Sequence, residues 1–304
     1  MGKISVVINT LNEEKNLPRA IASVKSLADE IVVCDMESSD ATTEVAEKAG
    51  AMVYTHKKTG YVEPARNFAI GKVSNDWILI LDADEEIPHS LATKLREIVE
   101  KPRADYFRIP RRNIVFGKWM KYSRWWPDFN IRFFKKGFVT WNEVIHSVPM
   151  TQGRGEDLAE KEELAIAHYN YDSIEQYLER MNRYTTIQAE MLLKVKHKFL
   201  WKDLIRKPMG EFMSRYFFGE GYKDGLHGLA AALLQAFSEV ILYLKVWQAE
   251  KFLDQTISLP EIEKEIKNST KEINWWLMDA KIKTGGFISS IPSQIKRKFI
   301  KKNG

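Results

Sequence analysis

The chain has 304 residues, 44% of them hydrophobic and 29% charged, which supplies a core for one large domain or two modest ones and excludes disorder, collagen repeats and a disulfide scaffold. Forty-six basic residues against forty-one acidic ones, a formal net charge of +5, fall short of the excess expected of a dedicated nucleic-acid binder, and no nucleic-acid partner is predicted. The lone cysteine, Cys34, cannot form an internal bridge, and the opening residues read as a strand and not as a basic, apolar leader. A reducing cytoplasm is therefore the expected compartment.

Short apolar runs alternate with amphipathic stretches over the first hundred residues. Strands are predicted at Ile4 to Ile8, Glu30 to Asp35, Met52 to Thr55 and Trp77 to Leu81, with helices near Glu14 to Ser26, Ala41 to Gly50 and Ala65 to Lys72. That rhythm specifies βαβ units on a mostly parallel sheet with helices on both faces, whose ligands bind at the carboxyl ends of the strands. From Asp105 to Pro149 the texture turns β-rich, aromatic and basic, with strands expected at Tyr106 to Pro110, Asn130 to Phe134 and Val144 to Val148. Beyond Ser173 long helices follow, Ser173 to Val195 and Gly225 to Phe252, and then a polar, lysine-rich tail. Leu226 to Val246 is long enough to cross a bilayer, yet it contains His227, Gln235, Ser238, Glu239 and Lys245. Those residues argue for a helix packed on the protein or lying against a membrane surface.

Asp82-Ala83-Asp84 emerges from the most apolar of the predicted strands. Two carboxylates there suit a hard divalent cation, Mn2+ or Mg2+, that completes its shell with water and substrate phosphates; an acidic turn capping the helix that starts near Pro88 is the alternative. Asp35 ends an earlier strand, where a carboxylate can accept from a nucleotide base or ribose, whereas Asp40 reads as a helix cap. Thr10 and Glu13 flank the first strand–helix turn, with Asn12 as its expected cap.

In order, Thr10-Leu11-Asn12-Glu13-Glu14, the Asp35 to Asp40 segment, Gly60-Tyr61-Val62-Glu63-Pro64-Ala65-Arg66-Asn67 and Asp82-Ala83-Asp84 resemble glycosyltransferase family 2, enzymes of the GT-A fold that use nucleotide-activated sugars. The likeness continues more loosely through Trp125-Trp126-Pro127-Asp128, Arg132-Phe133-Phe134 and Ile145-His146 toward bacterial enzymes that glucosylate the lipopolysaccharide inner core. The resemblance implies that Thr10, Glu13, Asp35, Arg66 and Asp82 hold the nucleotide sugar and that Asp82 and Asp84 hold the metal. His146 or His168 is available to complete the metal shell or to meet phosphate, with His146 taken as the third metal residue. The acceptor hydroxyl needs a carboxylate base. The family places one in a Glu-Asp or His-Glu pair after the metal motif, a pattern from which this chain departs because Ser147 follows His146. Glu143 and Asp128 remain as rival bases, Glu143 ahead. Trp119, Trp125, Trp126 and Trp141 are dense enough that one or two are expected along a sugar groove and the others in the core.

Lysines and arginines interleave with bulky apolar residues from Lys194 to Lys207 and again from Lys296 to Lys302, a pattern that suits an anionic membrane surface. The reading is therefore an α/β protein, a GT-A-like (Rossmann-like) mostly parallel sheet with a helical C-terminal region. Residues 1–170 form the catalytic domain, with an acceptor-side segment at about 105–150, and residues 171–304 form the helical region. The expected activity is metal-assisted, inverting transfer of a hexose from a nucleotide diphosphate donor, uridine by resemblance, to a cell-envelope glycan or glycolipid acceptor such as lipopolysaccharide core. The enzyme would sit peripherally on the inner face of the cytoplasmic membrane. Two rivals stay open: transfer to polyprenyl phosphate, whose anionic oxygen needs no base, and a non-catalytic nucleotide-binding or membrane-peripheral module of the same fold.

Overall fold

The structure, a computed structural model, describes residues 2–58, 62–142, 149–285 and 287–299. It divides into two compact units, Met1–Ile114 with Trp126–Asn170, and Val115–Trp125 with Tyr171–Gly304. The expected segment at about 105–150 is thus split, since residues 115–125 group with the helical unit. The strand expected at Val144 to Val148 lies outside the described residues.

In chain order the first unit contains β1 (Ile4–Thr10), α1 (Leu17–Val24), β2 (Glu30–Asp35), α2 (Thr42–Lys48), β3 (Met52–Thr55), α3 (Glu63–Ile70), β4 (Trp77–Asp82), β5 (Glu85–Glu86), α4 (His89–Glu100) and β6 (Tyr106–Val115). After β7 (Lys118–Trp119), which lies in the second unit, come β8 (Asp128–Lys135), β9 (Val139–Thr140), β10 (Met150–Thr151), β11 (Gly155–Asp157) and β12 (Ile166–Tyr171). The main sheet runs β3-β2-β1-β4-β8-β6-β12-β5. Its β3-β2-β1-β4 half is parallel, as the βαβ rhythm predicts. Beyond β4 it turns antiparallel at β8 and β6, so the β-rich segment extends the same sheet and makes it mixed.

Alternation along the strands sorts the core onto two faces. Ile4, Val6 and Ile8 of β1 join Leu79 and Leu81 beneath α1 and α4, while Val7, Val32, Ile78 and Ile80 pack with Ala65 and Ala69 of α3 on the other side. In α1 the buried residues Leu17, Ala20, Ile21 and Val24 recur at helical spacing, so the helix lays one stripe on the sheet. Burying each large aliphatic side chain stabilises the unit by about 1.5–3 kcal/mol, leaving the polar strand ends available for chemistry.

Two expected caps turn out differently. Asn12 does not cap α1, which starts five residues later; it sits in the left-handed region (φ 56°), and its Oδ1 accepts from Ser39 N at 2.8 Å. Asp40 does serve the start of α2, its Oδ1 accepting from Thr42 N at 3.0 Å. Cys34 is fully buried on β2. Burial and the neighbouring Asp35 charge push its thiol up to about 11 against a weaker opposing bond from Asn9. The native protein should therefore resist a thiol reagent at pH 8 and react only on unfolding, as stopped-flow labelling with and without denaturant would show.

The second unit is helical: α5 (Ile174–Lys194), α6 (Asp203–Met213), α7 (Leu226–Ala249), α8 (Leu259–Thr284) and α9 (Phe287–Phe299). The lysine-rich tail is thus mostly helix; α8 opens with a Ser258/Glu261 capping box and is tied to α6 by a bidentate Arg206–Glu265 pair at 2.8 and 2.6 Å. Among the described residues α7 is the one helix long and apolar enough to cross a membrane, and a third of its most apolar stretch is buried within the protein. Its polar residues bond locally. Lys245 Nζ reaches Asn182 Oδ1, Thr185 Oγ1 and Thr186 Oγ1 at 2.7–2.9 Å, and Gln235 Nε2 donates to Tyr177 at 2.9 Å. Gly228 lies so close to the carbonyl of Gly221 that a Cβ would sit 1.8 Å from that oxygen, and no other residue fits there. The 115–125 excursion is fastened by buried Asp224, whose carboxylate accepts from the backbone N–H groups of Lys121 and Tyr122.

Candidate functional site

Register alone brings the first unit's polar strand ends together. Thr10 pairs with Asp35 across β1 and β2, and Asn9 with Asp82 across β1 and β4. The carboxyl ends of three adjacent parallel strands therefore line one edge, each about 4.8 Å from the next. Thr10 is buried, and its Oγ1 has no hydrogen-bond partner among the described residues, an orphan hydroxyl at the end of β1. Asp35, also buried, accepts from Ser38 N at 2.9 Å and Ser38 Oγ at 2.5 Å, so the turn after β2 holds its carboxylate in place. Glu13 turns toward the start of α1, where its Oε2 accepts from Asn16 Nδ2 at 2.8 Å.

Asp82 is not free for a cation in the way the sequence suggests. Its Oδ1 accepts from Arg66 at 2.8 Å and its Oδ2 from Arg132 at 2.5 Å. Burial raises its pKa, but the charges of Arg132 and Arg66 outweigh that and hold it well below the usual carboxylate range. Arg66, expected on the nucleotide, is itself buried beside Trp141, its guanidinium 5.6 Å from that ring. Trp141 belongs to the core against Phe134.

The network continues through a residue that the motif analysis missed. Glu85 is completely buried; its Oε1 accepts from Arg132 at 2.6 Å and from Arg111 at 3.2 Å, and its Oε2 accepts from the backbone N of Asp82 at 2.9 Å. Arg111 in turn donates through Nε and Nη2 to Asp128 Oδ2 at 2.8 and 2.7 Å. Asp128 also accepts from Asn113 and Asn130, each at 3.1 Å. Burial raises the Asp128 pKa, and the Arg111 charge together with these bonds lowers it more, so the group stays ionised and is a weak base at neutral pH.

Asp84 is buried next to His168 of β12, with Oδ2 and Nε2 3.5 Å apart. Asn113 Nδ2 donates to Asp128, which leaves Asn113 Oδ1 as the acceptor facing His168 Nδ1 at 2.6 Å. His168 Nε2 is thus the ring nitrogen that faces the Asp84 carboxylate. An imidazole nitrogen and a carboxylate oxygen at this separation fit neighbouring ligands of one hard cation, which lie about 3 Å apart for bonds of 2.0–2.2 Å. Among the described residues no cluster of three or more His, Cys, Asp or Glu could cage a metal. The donor set thus fits an ion such as Mn2+ or Mg2+ that takes its remaining ligands from water and substrate phosphate. His146 and Glu143 lie outside the described residues.

Asp128, Asn130 and Arg132 lie on β8, and Arg111 and Asn113 on β6; a register shift at Phe107/Arg108 leaves Arg132 without a paired residue and interrupts the alternation of β8 there. A concavity of about 450 Å³ elsewhere, lined by Lys3, Asp29, Glu30, Ser74 and Asn75, lies at the amino ends of the strands. Its carboxylates are already engaged, Asp29 by Arg96 and Glu30 by Ser74.

The family model of Glycosyl transferase family 2 matches residues 5–154. An uncharacterized glycosyltransferase of Rickettsia typhi is 32% identical over 255 residues, covering 81% of this chain and 87% of the relative. Lipopolysaccharide core biosynthesis glycosyltransferase LpsC of Rhizobium meliloti is 24% identical over 259 residues, covering 81% and 92%. Among solved structures, glucosyl-3-phosphoglycerate synthase of Mycobacterium tuberculosis, in complex with Mn2+, uridine diphosphate and glucosyl-3-phosphoglycerate, is 24% identical with a TM-score of 0.30. The match covers 38% of this chain and 45% of that one, so this chain spans under half of that enzyme's length.

Proposed function

Because the chain belongs to glycosyl transferase family 2, and so is a glycosyltransferase with a GT-A-like nucleotide-sugar domain, we propose that it transfers a hexose from a uridine diphosphate donor to a cell-envelope glycolipid such as lipopolysaccharide core. The observation that carries the proposal is the Asp84–His168 pair at 3.5 Å, its imidazole held by Asn113 through Nδ1 at 2.6 Å. Asp84 and His168 would hold the divalent cation, and that cation, when bound, neutralises the charge that develops on the departing diphosphate. Thr10 Oγ1 and the Asp35 carboxylate, at adjacent strand ends, supply a donor/acceptor and an acceptor for base or ribose. Asp82, locked between Arg66 and Arg132, positions this edge and orients its neighbours instead of ligating the metal. Attack by an acceptor hydroxyl in one displacement inverts the anomeric carbon, and because the Arg111 charge lowers the basicity of Asp128, Glu143 is the base. The likeness to LpsC supports the envelope acceptor, and the lysine-rich helices support a peripheral position on the cytoplasmic membrane face.

A thermal-shift panel of nucleoside diphosphates and their sugar conjugates, with and without Mn2+, tests the donor, since a ligand of the folded state raises the melting temperature by mass action. A manganese-dependent shift with uridine compounds is expected; a panel without any shift would sink the reading and favour a non-catalytic module. Glu143→Gln should lower transfer by about 10²–10⁴-fold, the usual contribution of a general base. Full transfer by Glu143→Gln and Asp128→Asn together would favour a polyprenyl phosphate acceptor.

A further inference from the structure

The second unit carries a surface that the reaction does not use. The loop after α5 and the loop after α7 meet in one tip. Gln255 joins them by accepting from Trp201 N at 3.1 Å and donating to Phe199 O at 2.9 Å, and Glu250 accepts from Phe199 N at 3.0 Å. Phe199, buried, stacks on Trp247 at 5.7 Å, and Trp247 Nε1 donates to Leu253 O at 2.9 Å. On this rigid base the two loops turn large apolar side chains outward: Val195 is 74% exposed, Leu200 56%, Phe252 56% and Leu253 65%. Lys251 and Phe252 hold left-handed backbone (φ 59° and 54°), a conformation that a bulky residue seldom adopts. Lys194, Lys196, Lys198 and Lys251 are exposed at the same two loops, and the run from Lys194 to Lys202 contains no acidic residue. The carboxylates of the second loop are Glu250, already bonded to Phe199 N, and Asp254.

Single exposed leucines need no explanation, whereas four exposed apolar side chains on two hydrogen-bonded loops that also carry exposed lysines do. We propose that this tip inserts its apolar side chains into the headgroup region of an anionic lipid bilayer while the lysines engage the lipid phosphates. Exposed apolar residues interleaved with lysines match the apolar and anionic layers of such a surface. A second copy of the chain fits poorly, because a two-fold contact would set lysine against lysine. The terminal basic run is a weaker candidate, since Arg297 of α9 is already paired with Asp279. The inference deepens the envelope-acceptor reading and rests on it, by giving the enzyme its hold on the surface where such an acceptor resides.

Vesicle co-sedimentation tests it on the full chain. Binding is expected to vesicles containing phosphatidylglycerol, to be absent with phosphatidylcholine alone, and to fall with salt. The variant Val195→Ser/Leu200→Ser/Leu253→Ser should weaken binding about tenfold or more, and Lys196→Glu/Lys198→Glu/Lys251→Glu should abolish it, while both keep the manganese-dependent nucleotide shift. A separate Leu253→Cys protein, labelled there with an environment-sensitive dye because Cys34 is buried, should show a blue shift on anionic vesicles only. No binding, binding that ignores these substitutions, or a dimer in sedimentation velocity that the apolar variant dissolves would overturn the proposal. Since the nucleotide shift is read apart from vesicles, its loss would instead indict the donor reading.

Discussion

Asp84→Asn is expected to lower transfer by about a thousandfold or more, the scale on which charge stabilisation at a leaving group operates, while moving the melting temperature little. Asp84 is buried beside His168, and asparagine keeps its shape. The amide removes the negative charge that would bind a dication. The nucleotide shift should accordingly lose its dependence on manganese. His168→Gln, which removes the other facing donor, should raise the manganese concentration needed for half-maximal activity. Transfer by Asp84→Asn at the wild-type rate, across a manganese titration, would remove this residue from the metal's shell and the cation from the proposed mechanism.

How much of this was legible in the sequence follows from the range over which each signal acts. Strand and helix alternation through residue 100 reflects local periodicity, and β1, β2, β3 and β4 appear where that periodicity puts them. The gathering of Asp35 and Asp82 at one edge follows because parallel strands with short crossovers end on the same side. Which partner each carboxylate takes is a matter of non-local pairing. Nothing near Asp82 announces that Arg132, fifty residues on, would occupy its Oδ2, nor that Arg111 would hold Asp128. Those contacts arise because β8 inserts antiparallel between β4 and β6, a sheet order that no local pattern encodes. Glu85 was overlooked for a related reason. It follows Asp84 directly and reads as one more acid in an acidic turn, and only the fold turns it inward. The helicity of the lysine-rich tail was hidden by its composition, since α8 is stabilised by its capping box and by Arg206–Glu265 more than by any strong apolar stripe.

The largest stability effect is expected at that overlooked residue. The network contains three guanidiniums, Arg66, Arg111 and Arg132, and three carboxylates, Asp82, Glu85 and Asp128, all joined by the bonds described. Glu85 is the most deeply buried carboxylate of the set, and it touches two of the three cations. Glu85→Gln preserves volume but leaves the site with one uncompensated positive charge away from water, and one arm of the amide presents N–H where an acceptor is needed. Removing one partner of a buried ion pair costs about 3–5 kcal/mol, a loss measurable as a lower denaturant midpoint with an unchanged slope. Glu85→Met should cost at least as much, because it also removes the acceptor for the Asp82 N–H. Acid provides an independent check with a definite sign. The Asp82 and Asp128 pKa values are lowered in the folded state, so their contribution is complete above the ordinary carboxylate value and is lost as pH falls below about 4. Stability of the wild type should therefore decline on acidification through that range, and Asp128→Asn, which deletes one of these titrations, should show a shallower decline. If Glu85→Gln unfolds at the wild-type midpoint, the arginines find compensation elsewhere, and the charge balance does not hold the strand ends together.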